Sequence, residues 1–249
     1  MDILKIPNFK PEKSFLKSKN VLITGAGSGI GREVAIACSK YGANLILLSR
    51  DPKKLYSLQD SIVSMGNSEP LVVEFDFDKA KEKDYLTLFE KLCEEYTQLD
   101  GLVHIAGILG YLSPVINTSL SQLQTVMKVN FESNFLLTQL CIPLLMNCKN
   151  PSIIFTSSGV GRKGRAFWTS YSVSKFAIEG LMQVLADEYE KDMRINSYNP
   201  GATRTSMRAQ AFPAEDPQGL KTPKERVNDY LWLLSESNIN TGKTYDFNE

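Results

Sequence analysis

The stretch FTSSGVGRKGRAFWTSYSVSK (155–175) gathers eight Ser, Thr and Tyr hydroxyls and four Lys or Arg side chains into twenty-one positions. Two of them, Tyr171 and Lys175, lie four residues apart, which on a helix puts them on one face, a turn from each other. A free phenol titrates near pH 10 and is a poor base at neutrality. A lysine ammonium about 5–6 Å away, at an effective dielectric near 20, favours the phenolate by about 3 kcal/mol, or roughly two pKa units. The pair therefore reads as a phenol poised to exchange a proton. The spacing alone is weak, since ten tyrosines and twenty lysines in 249 residues give about 0.8 chance matches. Position adds what spacing lacks, and position depends on the elements around it.

Short β-branched or leucine-rich runs alternate with amphipathic ones from residue 20 onward. The pattern predicts strands at 20–24, 44–49, 71–75, 101–106, 152–157, 194–199 and 244–247. Helical patterns fall near 29–41, 52–65, 79–97, 119–147, 170–191 and 223–235. Strands alternating with helices predict an α/β fold, a doubly wound parallel sheet covered on both faces. Tyr171 and Lys175 then follow the fifth strand, whose C-terminal end faces the crevice where such a sheet binds ligand. We expect one dinucleotide-binding domain over 1–249, with a polar extension at 1–19. The breaker-rich segment 203–223 reads as a mobile loop over the site.

NVLITGAGSGIGREVAIACSKYGANLILLSR (20–50) is a strand, a glycine-rich turn, a helix and a second strand. Thr24, Gly25, Gly27, Ser28, Gly29, Ile30 and Gly31 form the turn. Glycines there let backbone N–H groups approach a pyrophosphate, and the helix N-terminus favours its charge. The second strand ends in Ser49 and Arg50, where an acidic residue would have indicated NAD. Arg50 is suited instead to a 2′-phosphate, so NADP is expected over NAD. Asp51 reads as the cap of the following helix.

TGAGSGIG, Asn130 in KVNFES, Ser158 in FTSSG, YSVSK and NPGATRT together resemble the motif set of the classical short-chain dehydrogenase/reductase family, over residues 20 to 247. Within it, FTSSGVGRKGRA, LADEYEK and NPGATRTSMRAQAFPAEDPQGLKTP are similar to the YciK-type bacterial oxidoreductases. The resemblance implies a Rossmann sheet of seven strands in the order 3-2-1-4-5-6-7. It implies hydride transfer between the nicotinamide and a carbonyl or alcohol substrate, with Tyr171 as general acid or base. Lys175 would also bond the nicotinamide ribose, Ser158 would orient the substrate oxygen, and Asn130 would position a water for proton relay. Asp76 and Phe77 would receive the adenine, while Pro200, Gly201, Thr203 and Thr205 would receive the nicotinamide and phosphates. Ala106 and Gly107 would let the backbone approach the cofactor closely. His104 and Ile105 stand where the family commonly has two asparagines, which puts cofactor affinity or local stability in question; His104 is expected to support the loop rather than catalyse. A homodimer or homotetramer through the helices at 119–147 and 170–191 is also implied.

Rival readings follow from the same residues. The same fold could serve a cofactor-binding regulatory or structural protein without turnover. Arg162, Lys163 and Arg165 read as solvated loop charges, or as a site for an acidic substrate. A nucleic-acid patch ranks lower, because 28 basic and 28 acidic residues cancel and no aromatic platform accompanies the cluster. Cys38, Cys93, Cys141 and Cys148 lack metal-ligand spacing and read as buried free thiols in a reducing compartment. The N-terminus has no apolar signal core, and the longest apolar run, FLLTQLCIPLLM (135–146), is too short to span a bilayer. A cytoplasmic protein without membrane, metal or nucleic-acid partner is the expectation.

Overall fold

The computed structural model describes residues 3–247. Eight strands form one parallel sheet: β1 (Ile3–Lys5), β2 (Asn20–Thr24), β3 (Asn44–Ser49), β4 (Leu71–Glu74), β5 (Gly101–His104), β6 (Ser152–Thr156), β7 (Arg194–Asn199) and β8 (Thr244–Asp246). Across the sheet they run β4-β3-β2-β5-β6-β7-β8-β1. The helices are α1 (Gly29–Lys40), α2 (Pro52–Ser64), α3 (Glu82–Glu95), α4 (Leu120–Met127), α5 (Ser133–Met146), α6 (Thr169–Glu188), α7 (Ser206–Ala211) and α8 (Val227–Leu234).

The strands are apolar on both faces because both faces are buried. On β2, Val21 and Ile23 join Val34 of α1, Leu58 of α2 and Leu231 of α8 on one side. Leu22 between them packs with Leu88 of α3, Leu137 of α5 and Met182 of α6 on the other. Period-two alternation thus feeds two cores at once. The predicted order of seven strands is present, and an eighth is added. Residues 3–5 lie inside the expected polar extension, but they pair in parallel with β8 at the sheet edge, and Ile6 and Leu16 behind them are buried. Three residues give too little periodicity to register as a strand; the exposed partner edge of β8 is what orders them.

Helix starts follow local chemistry. Asp51 caps α2, its side chain accepting from the Lys54 amide at 3.2 Å, with Pro52 in the first turn. The single long helix expected at 119–147 is instead α4 and α5 joined by a π-helical turn, Lys128–Glu132, that contains Asn130. Such turns rotate one side chain out of α-helical register. The loop at 203–223 holds the short α7, capped by Thr205, and a bridge between Thr203 and Lys221. Among the described residues, no helix is long and apolar enough to cross a membrane, and no group of three potential metal ligands forms. All four cysteines are free; Cys38, Cys141 and Cys148 are buried, whereas Cys93 is exposed.

Candidate active site

The C-terminal ends of β2, β5, β6 and β7 open onto one crevice, and the loops leaving them carry the chemistry. Tyr171 and Lys175 lie in the first two turns of α6, 8% and 4% exposed. The Lys175 Nζ stands 5.6 Å from the centroid of the Tyr171 ring and donates to the Thr156 carbonyl at 2.8 Å. Ser158, two residues past β6, is within hydrogen-bonding reach of the Tyr171 phenol. Three of the expected groups therefore converge.

Their electrostatics differ from the simple expectation. Burial pushes the Tyr171 phenol up to about 12, against the hydrogen bond with Ser158 that lowers it. Burial likewise pulls the Lys175 ammonium down to about 8, opposed by the charge of Glu179. The ammonium faces the ring and is turned onto Thr156, so it does not draw the phenol downward as the sequence suggested. Two charged forms compete for one dry site, and desolvation prevails.

Asn130 reaches the crevice from the π turn. Its Oδ1 accepts from the Ile108 amide at 2.8 Å, and its Nδ2 donates to the Ile108 carbonyl at 2.9 Å and the Ser174 hydroxyl at 3.0 Å. Its main-chain oxygen accepts from Asn134 Nδ2 at 2.9 Å. Asn130 thus brackets the loop after β5 to α6. The same loop passes over Thr24, whose hydroxyl accepts from the amides of Ile105 and Ala106 at 3.0 and 3.1 Å. These bonds hold the loop without the side-chain amides the family commonly places there. His104, 1% exposed, stacks on Phe155 at 4.9 Å and 5° and bonds Thr138 at 2.8 Å, its ring engaged in packing beneath the loop.

The glycine turn is as tight as its sequence predicts. Gly25 has φ +68°, and a Cβ there would meet the Ala106 nitrogen at 2.8 Å. A Cβ on Gly31 would lie 2.3 Å from the Gly25 carbonyl oxygen. Ser28 opens α1 without a side-chain cap, which leaves first-turn N–H groups to an external anion. Beside it lies an open cleft of about 530 Å³ lined by Gly27, Ser28, Gly29, Arg32, Asp51, Lys53, Lys54 and Ser57. Arg50 is exposed and stands outside this lining, whereas Arg32, Lys53 and Lys54 supply three cations the sequence reading missed. The signal for the two lysines was the DPKKL run that opens α2, and for Arg32 its place in the first turn of α1, legible only once α1 and α2 are known to flank one cleft. Asp51 is occupied as the cap and by an ion pair with Lys54 at 3.4 Å.

On the other flank, the turn after β7 packs on the first. A Cβ on Gly29 would stand 3.4 Å from Thr205 Cγ2, and Thr205 accepts from the Arg208 amide at 3.2 Å. Thr203 is buried with its hydroxyl on the carbonyls of Pro200 and Gly201, at 3.4 and 3.3 Å. Gly201 has φ +67°, and a Cβ there would strike the Phe247 ring. Asp76 accepts from the Asp78 amide at 3.1 Å and pairs with Lys79 at 3.4 Å. The Phe77 ring is buried against Tyr85, leaving its main chain for a nucleotide.

One loop reading needs correction. Arg162 is neither a solvated charge nor a substrate contact: it pairs with Glu179 and Asp246 and donates to the Tyr245 carbonyl, its side chain 12% exposed. Gly161, packed flush on α6, turns it inward. Lys163 is exposed, and Arg165 lies over the rings of Trp168 and Phe212 at 5.7 and 5.3 Å. Trp168 in turn meets Tyr171 edge-on at 5.9 Å, so these rings wall the approach to the phenol.

Comparison with known proteins agrees with this fold. The uncharacterized oxidoreductase YciK of Escherichia coli K12 is 44% identical over 240 residues, 96% of this chain and 95% of its own. The 0.95 Å structure of the oxidoreductase yciK from E. coli superposes with a TM-score of 0.94 at 43% identity, covering 96% of this chain and 99% of that one. A short chain dehydrogenase from E. coli CFT073, crystallised with NADPH, gives 0.93 at 44% identity, covering 95% and 99%. With the short chain dehydrogenase family model matching residues 19–216, the chain belongs to that family and is an oxidoreductase.

Proposed function

We propose that the chain is a single-domain, NADP(H)-dependent oxidoreductase that moves a hydride between nicotinamide and a carbonyl or alcohol carbon, with Tyr171 as general acid or base. The observation that carries this reading is the buried Tyr171 phenol, with Lys175 Nζ 5.6 Å from its ring and Ser158 close enough to act on its titration, at the mouth of the strand ends. The residues present fit a dinucleotide. Uncapped N–H groups open α1 beside the cations Arg32, Lys53 and Lys54, a donor set suited to pyrophosphate and 2′-phosphate. At the other end, a Cβ on Gly107 would stand 3.3 Å from Asn130 Oδ1 and 3.8 Å from Lys175 Nζ, so its absence leaves the lysine face open. The NADPH complex of the E. coli CFT073 relative supports the choice of NADP over NAD.

When bound, the nicotinamide gives or takes the hydride. The protein's part is placement and the proton. Ser158 and Tyr171 converge on one point, where both hydroxyls orient a substrate oxygen. A phenol held near 12 is protonated at neutral pH, the form that donates as a carbonyl becomes an alcohol. Lys175, cationic below about 8, stands behind the phenol ring on the Thr156 carbonyl, with its face toward Gly107 left for the nucleotide. Asn130 acts as a positioning residue, fixing Ile108 and Ser174 on either side. Exposed Phe135 on α5 with Val173, Phe176 and Val184 on α6 support association through these helices, as a homodimer or homotetramer. Free thiols suit a reducing, cytoplasmic setting.

The deciding experiment is NADPH oxidation across a panel of aldehydes, ketones and keto acids, with Tyr171→Phe as control. Turnover with at least one carbonyl, abolished by the substitution, supports the reading. NADPH binding with no turnover across the panel would replace the enzyme with a cofactor-binding regulator.

A further inference from the structure

Four elements meet around Glu179, one turn beyond Lys175 on α6. The residue is 4% exposed, and its carboxylate accepts from Arg162 Nε at 3.2 Å, Ser197 Oγ at 2.7 Å and Thr244 Oγ1 at 3.2 Å. Arg162 continues to Asp246 and to the Tyr245 carbonyl, so the loop after β6, α6, β7 and β8 are joined through one buried carboxylate. Burying a charge is unfavourable unless it is paired and fully hydrogen-bonded, and here both conditions are met. Between Ser158 and Arg162 the loop lies flush on the helix. A Cβ on Gly161 would stand 2.7 Å from the Lys175 Cβ, and Ser172 Oγ donates to the Val160 carbonyl at 2.5 Å. The segment that presents Ser158 is therefore fixed to the helix that presents Tyr171 and Lys175 at two points, and Arg162–Glu179 is the charged one.

We propose that Glu179 is a positioning residue for the catalytic pair: through Arg162 it clamps the Ser158 loop onto α6, and its carboxylate is the buried counter-charge of the Lys175 ammonium. The proposal rests on the catalytic reading above but can be measured without turnover. Lys175 is faced by Tyr171 and Glu179 on its own helix and by His104 from the end of β5, while Arg162 and Asp246 lie beyond Glu179, Arg162 paired with both. Of these, His104 stays neutral down to about 3 and Tyr171 stays neutral up to about 12, so between pH 6 and 10 the charge that acts on Lys175 is Glu179, whose partner Arg162 offsets it in part. Removing the anion and removing the cation must then move the lysine in opposite directions, although both break the same clamp.

The measurement is the pH titration of the Lys175 ¹³Cε resonance in protein carrying labelled lysine, without nucleotide, assigned by its loss in Lys175→Arg. The wild-type midpoint is expected near 8. Glu179→Gln should lower it by about one pH unit, and Arg162→Met should raise it by about half a unit or more. Thermal unfolding should fall in both variants. Midpoints that stay fixed, or move the same way in both, would show a packing role only and overturn the proposal. If Glu179→Gln does not fold, Arg162→Met alone decides, because an unchanged or lowered midpoint there contradicts the counter-charge. In variants that fold, NADPH affinity at pH 8.5, read by nicotinamide fluorescence, should fall several-fold in Glu179→Gln and hold in Glu179→Asp; equal loss in both would overturn the role of the charge. The catalytic reading is judged separately, by NADPH turnover with carbonyl substrates.

Discussion

The Lys175 Nζ sits 5.6 Å from the centre of the Tyr171 ring while donating to the Thr156 carbonyl at 2.8 Å. The ammonium thus lies behind the phenol, held by the end of β6, and the phenol oxygen is left to Ser158 and whatever enters the crevice. Removing that oxygen should leave binding surfaces intact. Tyr171→Phe is expected to lower kcat by about 10²–10⁴-fold while the NADPH Kd stays within a few-fold. Steady-state kinetics with the best panel carbonyl and a fluorescence titration check both halves.

The cleft beside α1 gives a second expectation. Arg32, Lys53 and Lys54 line it, and an extra phosphate on the adenosine ribose would meet two or three of these cations. Charge-assisted hydrogen bonds contribute about 1.5–3 kcal/mol each. Lys54→Met or Arg32→Met should therefore weaken NADPH binding by about 10–100-fold and NADH binding by far less. Arg50→Ala tests the residue that the sequence put forward. Equal loss for both nucleotides in all three variants would assign these cations to the pyrophosphate or to the fold.

Much of this arrangement is legible before any coordinates. Strand and helix positions follow from periodicity, because a sheet buried on both faces writes continuous apolar runs such as Leu45–Leu48. The placement of the pair is legible for a similar reason: Tyr171 and Lys175 lie one turn apart on a single helix, so linear spacing becomes geometry directly. What escaped depends on partners distant in sequence. The edge strand at Ile3–Lys5 exists because β8 offers it an edge, more than 230 positions away. Arg162 reads as a loop charge until Glu179 and Asp246 are brought beneath it. The phenol's direction of shift was missed because spacing conveys proximity to an ammonium but not burial, and burial is the larger effect.

Steric closeness in the glycine turn makes a third prediction. A Cβ on Gly31 would lie 2.3 Å from the Gly25 carbonyl oxygen, a contact with backbone that no rotamer change relieves. Gly31→Ala should destabilise the fold by about 1–3 kcal/mol and open the turn. Thermal unfolding and NADPH titration should both register the change, whereas Gly66→Ala, which meets no atom within 4 Å but has φ +77°, should cost stability alone.

His104 supplies the pH dependence. Its ring is 1% exposed, stacked on Phe155 and bonded to Thr138, and burial lowers it to about 3, with the nearby Lys175 charge adding to the effect. In the unfolded chain it titrates near its ordinary value of about 6.5. Between those values the unfolded state binds a proton that the folded state refuses, so stability falls as pH is lowered from about 6.5 toward 3. The slope from this one group approaches ~1.4 kcal/mol per pH unit in that window and vanishes above it. His104→Asn or His104→Gln should lower stability at pH 7 through lost packing yet flatten the decline between pH 6 and 4. Urea unfolding at several pH values, compared as the wild-type-minus-variant difference, reads the slope. A difference that stays constant with pH would mean that the imidazole is protonated within the fold, and the neutral, loop-supporting role would have to be given up.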